Sequence, residues 1–225
     1  MLYAASQEQI LGGIDMSGRI ITIAQQKGGS GKTTLAVNLA TGFLAKGKSV
    51  GILDTDPQGS LGKWFMKRIE TQGEDPNLQF STATAWGISY ELRSLSDKVD
   101  VVIVDTPPKA DSDLRPALRA ADLVLVPLSS SHVDIWATQD VLDLADRAGK
   151  RAFIVMNRCR SGTKLGAEVL AAVHELDAEV MQTGLGNRIV FAEALGNGMG
   201  AVEARKKSPA TTEVFELVNE VESTF

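Results

Sequence analysis

Among the 225 residues there is a single cysteine, Cys159. One thiol forms no internal disulfide and cannot alone hold a zinc ion or an iron-sulfur cluster, so a reducing, cytoplasmic setting is expected. Tyrosine is nearly as scarce: Tyr3 and Tyr90 are the whole supply, and residues 211–225 contain none. A mechanism built on a C-terminal tyrosine cluster is therefore not expected. No run of about eighteen apolar residues occurs, and the N-terminal stretch lacks a basic segment followed by a hydrophobic one, so neither a membrane span nor export is expected. Positive charge is not in excess either. With 23 Lys and Arg against 28 Asp and Glu, the formal net charge is -5. No global field draws such a chain to nucleic acid or anionic lipid, and any binding of that kind must come from a local patch. His132 and His174 each stand alone beside helical residues and suggest no metal site. Trp64, Trp86 and Trp136 read as packing or dimer-surface residues rather than base-stacking platforms.

What is present is ordinary globular material, with 44% hydrophobic and 23% charged residues, enough for one domain to bury a core. Residues 1–18 show no clear period and read as an N-terminal extension; residues 19–225 read as one domain. From Arg19 onward, short apolar runs alternate with helical patterns. Strands are expected at Ile20–Ala24, Val50–Leu53, Val101–Val104, Leu123–Val126 and Ala152–Met156. Helices are expected at Lys32–Ala45, Ser60–Glu70, Val133–Ala148, Lys164–Leu176 and Thr212–Ser223. The strands are rich in Val, Ile and Leu without alternation, which fits a parallel sheet covered on both faces. The expected fold is α/β: a doubly wound, mostly parallel sheet flanked by helices.

Directly after the first strand stands Gln26-Lys27-Gly28-Gly29-Ser30-Gly31-Lys32-Thr33-Thr34, opening a helix. Glycines let successive backbone N–H groups curl around an anion, and the helix N-terminus adds its partial positive charge. Lys32 would then reach the β- and γ-phosphates of a nucleotide, and the Thr33 hydroxyl would bind Mg²⁺. The bland alternative is a glycine-rich turn before a helix. A second acidic segment, Asp54-Thr55-Asp56-Pro57-Gln58-Gly59-Ser60, ends the second strand, and Val101-Val102-Ile103-Val104-Asp105 ends the third in an acid that would hold Mg²⁺. Carboxylates at this edge of a parallel sheet face the ligand crevice; without the phosphate loop, Asp56 or Ser60 would read instead as a cap of the next helix. Three such signals at successive strand ends point jointly to a P-loop nucleotide site.

Gln26 stands where the ordinary phosphate loop has its first glycine, and a lysine follows at once. This arrangement resembles the deviant Walker A motif of the ParA/MinD family, and Asp54 through Gly59 resembles that family's D-x-D-P-Q-G segment. The residues from Asn187 through Gly198 and Ser208-Pro209-Ala210 resemble the C-terminal region of small ParA proteins, so the resemblance spans about residues 19–225. It implies an ATPase using ATP and Mg²⁺. Its catalytic residues would be Lys27, reaching across a dimer to the partner's nucleotide, Lys32, and Asp56, positioning the attacking water. Gly28, Gly29, Ser30, Gly31, Lys32, Thr33 and Thr34 would cradle the phosphates, and Asn157 would contact adenine unless it is only a turn former. Asp54 would support the metal shell of Thr33 and Asp105.

The resemblance further implies an ATP-dependent homodimer, non-specific DNA binding, a cargo-bound ParB-like adaptor that stimulates hydrolysis, and a cytoplasmic, nucleoid-associated location. Arg158, Arg160, Lys164, Arg188, Arg205, Lys206 and Lys207 are the candidate DNA contacts, each of which could instead be a solvated charge. A membrane-associated regulator of the MinD kind would want basic residues on its last helix. Here that helix carries Glu213, Glu216, Glu220 and Glu222 beside an apolar face, so packing onto the sheet is expected and no membrane partner. A nucleotide-dependent enzyme of the same superfamily and a module that holds nucleotide without turnover are the remaining alternatives.

Overall fold

A computed structural model of the chain describes residues 17–108, 114–129, 132–159, 164–176 and 178–225. Most of the expected N-terminal extension, residues 1–16, lies outside these, as does Arg160.

The sheet is built from β1 (Arg19–Ile23), β2 (Val50–Asp54), β3 (Leu78–Thr82), β4 (Val101–Asp105), β5 (Leu123–Leu128), β6 (Ala152–Cys159), β7 (Glu179–Val180) and β8 (Leu185–Gly186). Its order is β3-β2-β4-β1-β5-β6-β7, with β8 pairing β6, and the pairings are all parallel. The chain runs outward from β1 to β2 and β3, returns through β4 beside β1, and then continues on the other side through β5 and β6. Such a reversal leaves a crevice at the carboxyl ends of the central strands, where ligands of open α/β sheets bind.

Alternation along each strand divides the core. Ile21, Ile23, Val101, Ile103, Leu123 and Leu125 join one hydrophobic cluster with α1 (Lys32–Ala45), α2 (Ser60–Gln72), α7 (Ile189–Gly196), α8 (Ala201–Ala204) and α9 (Pro209–Glu222). Their neighbours Val102, Val104, Val124 and Val126 face the opposite layer, formed with α3 (Gly87–Ser96), α4 (Leu114–Ala120), α5 (His132–Arg147) and α6 (Lys164–His174). Both faces are covered, which is why these strands carry no polar alternation.

The last helix follows from local chemistry. Ser208 caps α9 by accepting from Thr211 N–H, and Pro209 occupies its first turn, where a missing N–H costs nothing. Val214, Leu217, Val218 and Val221 are buried in the cluster that contains α1, and a Cβ at Gly42 of α1 would stand 2.8 Å from Val218. Its apolar stripe is therefore spent on the core and not offered to lipid. Among the described residues no helix is long and apolar enough to cross a membrane.

Candidate nucleotide site

Three strand ends meet at one edge. Asp105 of β4 lies in register with Ile23 of β1 and with Asp54 of β2. Threonine hydroxyls tie the ends together: Thr106 Oγ1 donates to Ile23 O (2.7 Å) and Thr55 Oγ1 to Asp105 O (3.0 Å). The loop of residues 25–31 leaves β1 here and enters α1 through Gly31, whose φ of 89° is left-handed and whose cap involves no side chain. The first turn of α1 thus keeps its N–H groups and partial positive charge open to the crevice.

The loop's inner positions are constrained and its outer ones open. A Cβ at Gly28 or Gly29 would meet nothing within 4 Å, whereas one at Gly31 would lie 2.4 Å from Asn157 Nδ2. Lys32 is buried and its Nζ donates to Gln25 O (3.0 Å); burial pulls its pKa down, opposed by the charges of Asp105 and Asp56. Thr33 Oγ1 donates to Asp105 Oδ2 (2.6 Å). Burial pushes the Asp105 carboxyl up to about 7, and its Oδ1 is buried with no hydrogen-bond partner. Ser30 Oγ is likewise buried and unpartnered. An orphaned carboxylate oxygen next to a threonine hydroxyl, beside a loop of open N–H donors, is a hard-oxygen donor set that fits Mg²⁺ with a phosphate. Thr34, one residue into the helix, is half-buried, and its carbonyl accepts from Asn38 Nδ2 at 2.8 Å.

Two side chains make contacts that the sequence did not suggest. Asp54 is buried, but its Oδ1 accepts from Asp56 N–H (3.0 Å) and its Oδ2 from Gly62 N–H (2.9 Å). Its carboxylate closes the turn into α2, and burial raises its pKa despite those bonds. Asn157, expected to contact adenine, is also buried, and its Nδ2 donates to Ser30 O at 2.9 Å. In this structure it holds the phosphate loop. Asp56 accepts from Gln58 N–H (2.9 Å) through Oδ1 and is close enough to Lys32 and Asp105 to perturb both.

Lys27 pairs with Asp134, a buried residue in the first turn of α5 that also accepts from Ser129 Oγ. Asp134 was not legible in the sequence. Its one signal is an acid in the first helical turn after a strand's carboxyl end, a position that usually serves helix capping alone. Gln25 was missed as well; its side chain spans from the loop to Thr138 Oγ1 (2.9 Å) and Pro127 O (3.3 Å).

The six candidate DNA contacts among the described residues are not gathered into one place. Arg158 lies on the phosphate loop, its Nη1 donating to Gly29 O at 2.9 Å. Lys164 and Arg188 line an open cavity of about 1020 Å³ beside the end of β6; Lys164 pairs with Glu168 (3.6 Å) and Arg188 Nε with Glu213 (3.0 Å). Arg205 pairs weakly with Glu193 (3.7 Å), and Lys206 and Lys207 are exposed. Of the tryptophans, Trp64 is buried, whereas Trp86 and Trp136 are 89% and 73% exposed.

A family model described as the CobQ/CobB/MinD/ParA nucleotide binding domain matches residues 21–202. The chain is 28% identical over 209 residues to the maintenance of carboxysome distribution protein A of Halothiobacillus neapolitanus, covering 89% of this chain and 95% of that one. It is 29% identical over 236 aligned residues to the chromosome-partitioning ATPase Soj of Thermus thermophilus, covering 90% and 95%. Among solved structures, the septum site-determining protein MinD of Pyrococcus horikoshii, complexed with Mg-ADP, superposes with a TM-score of 0.76 over 92% of this chain and 97% of its own, at 19% identity.

Proposed function

This chain belongs to the CobQ/CobB/MinD/ParA nucleotide-binding family, and on that premise we propose that it is a ParA-type positioning ATPase that pairs face to face with a second copy when ATP is bound. ATP hydrolysis is its activity. The observation that carries the pairing is the second lysine of the loop. Lys32 is turned inward to the Gln25 carbonyl, whereas Lys27, five residues earlier in the same anion-binding loop, is half-buried and reaches the loop's outer side, so a second cation is left over for a second phosphate group. In the described chain Lys27 rests on Asp134, a contact it would exchange for the partner's phosphates.

Within one copy, Lys32 and the open N–H groups of the loop bind the β- and γ-phosphates, Thr33 and Asp105 supply the oxygen ligands, and Asp56 orients the water. The bound nucleotide with its Mg²⁺ provides the transferable phosphoryl group and neutralises its charge. Lys27 from the opposite copy would stabilise the charge developing on that group. The pair would bind DNA non-specifically through Arg205, Lys206 and Lys207 of both copies, which places it on the nucleoid. A ParB-like adaptor on the cargo would stimulate hydrolysis and release. Similarity to a carboxysome-distribution protein and to a chromosome-partitioning ATPase supports a cargo that is a protein compartment or a DNA region.

The test is sedimentation of the chain with Mg²⁺ and a non-hydrolysable ATP analogue, with and without duplex DNA. The expected result is a dimer only with the analogue, retained on DNA at low salt. A chain that stays monomeric with saturating analogue would refute the pairing.

A further inference from the structure

Asn157 and Arg158 are consecutive residues of a strand, and ordinary alternation would send them to opposite faces. They do not diverge here. The β6–β8 register shifts between Asn157 and Cys159, and Arg158 takes a left-handed φ of 54°, unusual for a residue with a side chain. The consequence is that both side chains reach one loop: Arg158 Nη1 donates to Gly29 O (2.9 Å) and Asn157 Nδ2 to Ser30 O (2.9 Å). Backbone strain of this kind persists where the surroundings over-determine it and clusters at functional sites.

In a planar trans peptide the carbonyl and the following N–H point in opposite directions. A carbonyl tied on one side therefore aims the next N–H to the other. Arg158 on Gly29 O directs Ser30 N–H away from itself, and Asn157 on Ser30 O does the same for Gly31 N–H. Gly29 and Gly31 both have left-handed φ, 77° and 89°, the alternation that makes successive N–H groups converge on an anion. Among the described residues, no hydrogen bond of ordinary geometry uses the N–H of Gly28, Gly29 or Gly31, and Gly28 and Gly29 form a tight turn. These donors are held ready for a phosphate.

We propose that Arg158 is a positioning residue of the nucleotide site, fastening the Gly29 carbonyl outward so that the loop's N–H groups face the phosphates, and that it does not belong to a DNA-binding surface. This deepens the ATPase reading and rests on it. Because the loop's donors hold phosphate in the ground and transition states alike, losing Arg158 should raise KM with little change in kcat.

The experiment measures Mg-ADP binding to the 225-residue chain, steady-state ATP hydrolysis, the nucleotide-free thermal midpoint and DNA retention. Arg158→Asn removes the guanidinium while keeping a residue that tolerates left-handed backbone. It should weaken Mg-ADP about tenfold or more, as loss of a charge-assisted hydrogen bond does, and leave the midpoint unchanged. Arg158→Lys should recover part of the affinity, since an ammonium can still reach the carbonyl. Lys98→Asn, an equal change of charge on the surface, should not alter it. Arg158→Asn binding Mg-ADP like the parent, with or without loss of DNA retention, overturns the proposal. So does a joint fall of KM-corrected rate and thermal midpoint that Arg158→Lys does not relieve, because that marks a purely structural side chain. A parent chain that binds no Mg-ADP would instead overturn the ATPase reading on which this one stands.

Discussion

Asp105 carries the sharpest consequence at the scale of single residues. Its carboxyl titrates near 7 because burial penalises the charge, against 3.8 for the ordinary group. Between those values the folded chain holds a proton that the unfolded chain has released. Nucleotide-free stability should therefore fall as pH rises from about 4 to about 7 and level off above that. Metal binding has the opposite sign, since Mg²⁺ needs the carboxylate and competes with the proton, so Mg-ADP affinity should climb through the same window. Thermal midpoints of the parent and Asp105→Asn, recorded against pH with and without Mg-ADP, check both signs. A parent whose nucleotide-free midpoint does not decline relative to Asp105→Asn would contradict them. Asp56 makes a second case. Its charge is felt by Lys32 but its carboxylate braces only its own turn, so Asp56→Ala should keep ATP binding and lose turnover by about 10²–10⁴-fold. Phosphate release at the parental rate would take Asp56 out of its assigned role.

At the scale of elements, the phosphate loop is a junction between β1, α5 and β6 as well as the start of α1. Lys27 reaches α5 through Asp134, and Asn157 and Arg158 reach the loop from β6. The Lys27–Asp134 pair has a stability consequence that the dimer does not predict. Lys27→Ala strands the buried Asp134 carboxylate without its cation, and stranding one partner of a buried pair is costlier than removing both. The thermal midpoint of the nucleotide-free chain should thus drop in Lys27→Ala and recover in the double variant with Asp134→Asn, while ATP-dependent pairing stays lost in both. A single variant as stable as the parent would show that Asp134 does not depend on Lys27. The elements also differ in how far sequence revealed them. The expected helix Lys32–Ala45 matches α1, since Gly31 and the apolar run mark its two ends. β3, α3, α4, α7, the four-residue α8 and the two-residue β7 and β8 were not expected. β3 pairs with β2 alone at the sheet edge and buries only Leu78, so its residues carry little hydrophobic signal.

For the whole molecule, the proposed DNA binding would ask an acidic chain to meet a polyanion, and the structure narrows how it could. Arg188 is engaged by Glu213, and that hydrogen bond raises its pKa, while Arg158 is turned to the loop. The contribution to DNA should fall on Arg205, Lys206 and Lys207, doubled by pairing. Each phosphate met contributes about -0.9 to the slope of log affinity against log salt, with no preference for sequence. Replacing Arg205, Lys206 and Lys207 together by alanine should flatten that slope and spare Mg-ADP binding. An unchanged slope, read by titration of duplex DNA at several salt concentrations with the ATP analogue present, would place the DNA surface elsewhere.

The parallel α/β class, the phosphate loop and the strand-end acids Asp54, Asp56 and Asp105 were all determined by sequence alone. Each depends on neighbours in the chain: glycine spacing, an apolar run ending in an acid, a helix opening after a loop. What those acids and cations do was decided only by tertiary structure. Asp54 and Asp105 have the same residue type at the same strand position. One has both oxygens taken by the turn into α2, and the other keeps an oxygen unpartnered at the loop. Arg158 looked like one more basic residue near the end of a strand until a register shift brought it to Gly29. Hydrogen-bond partners distant in sequence are set by strand order and register, and no local pattern encodes them.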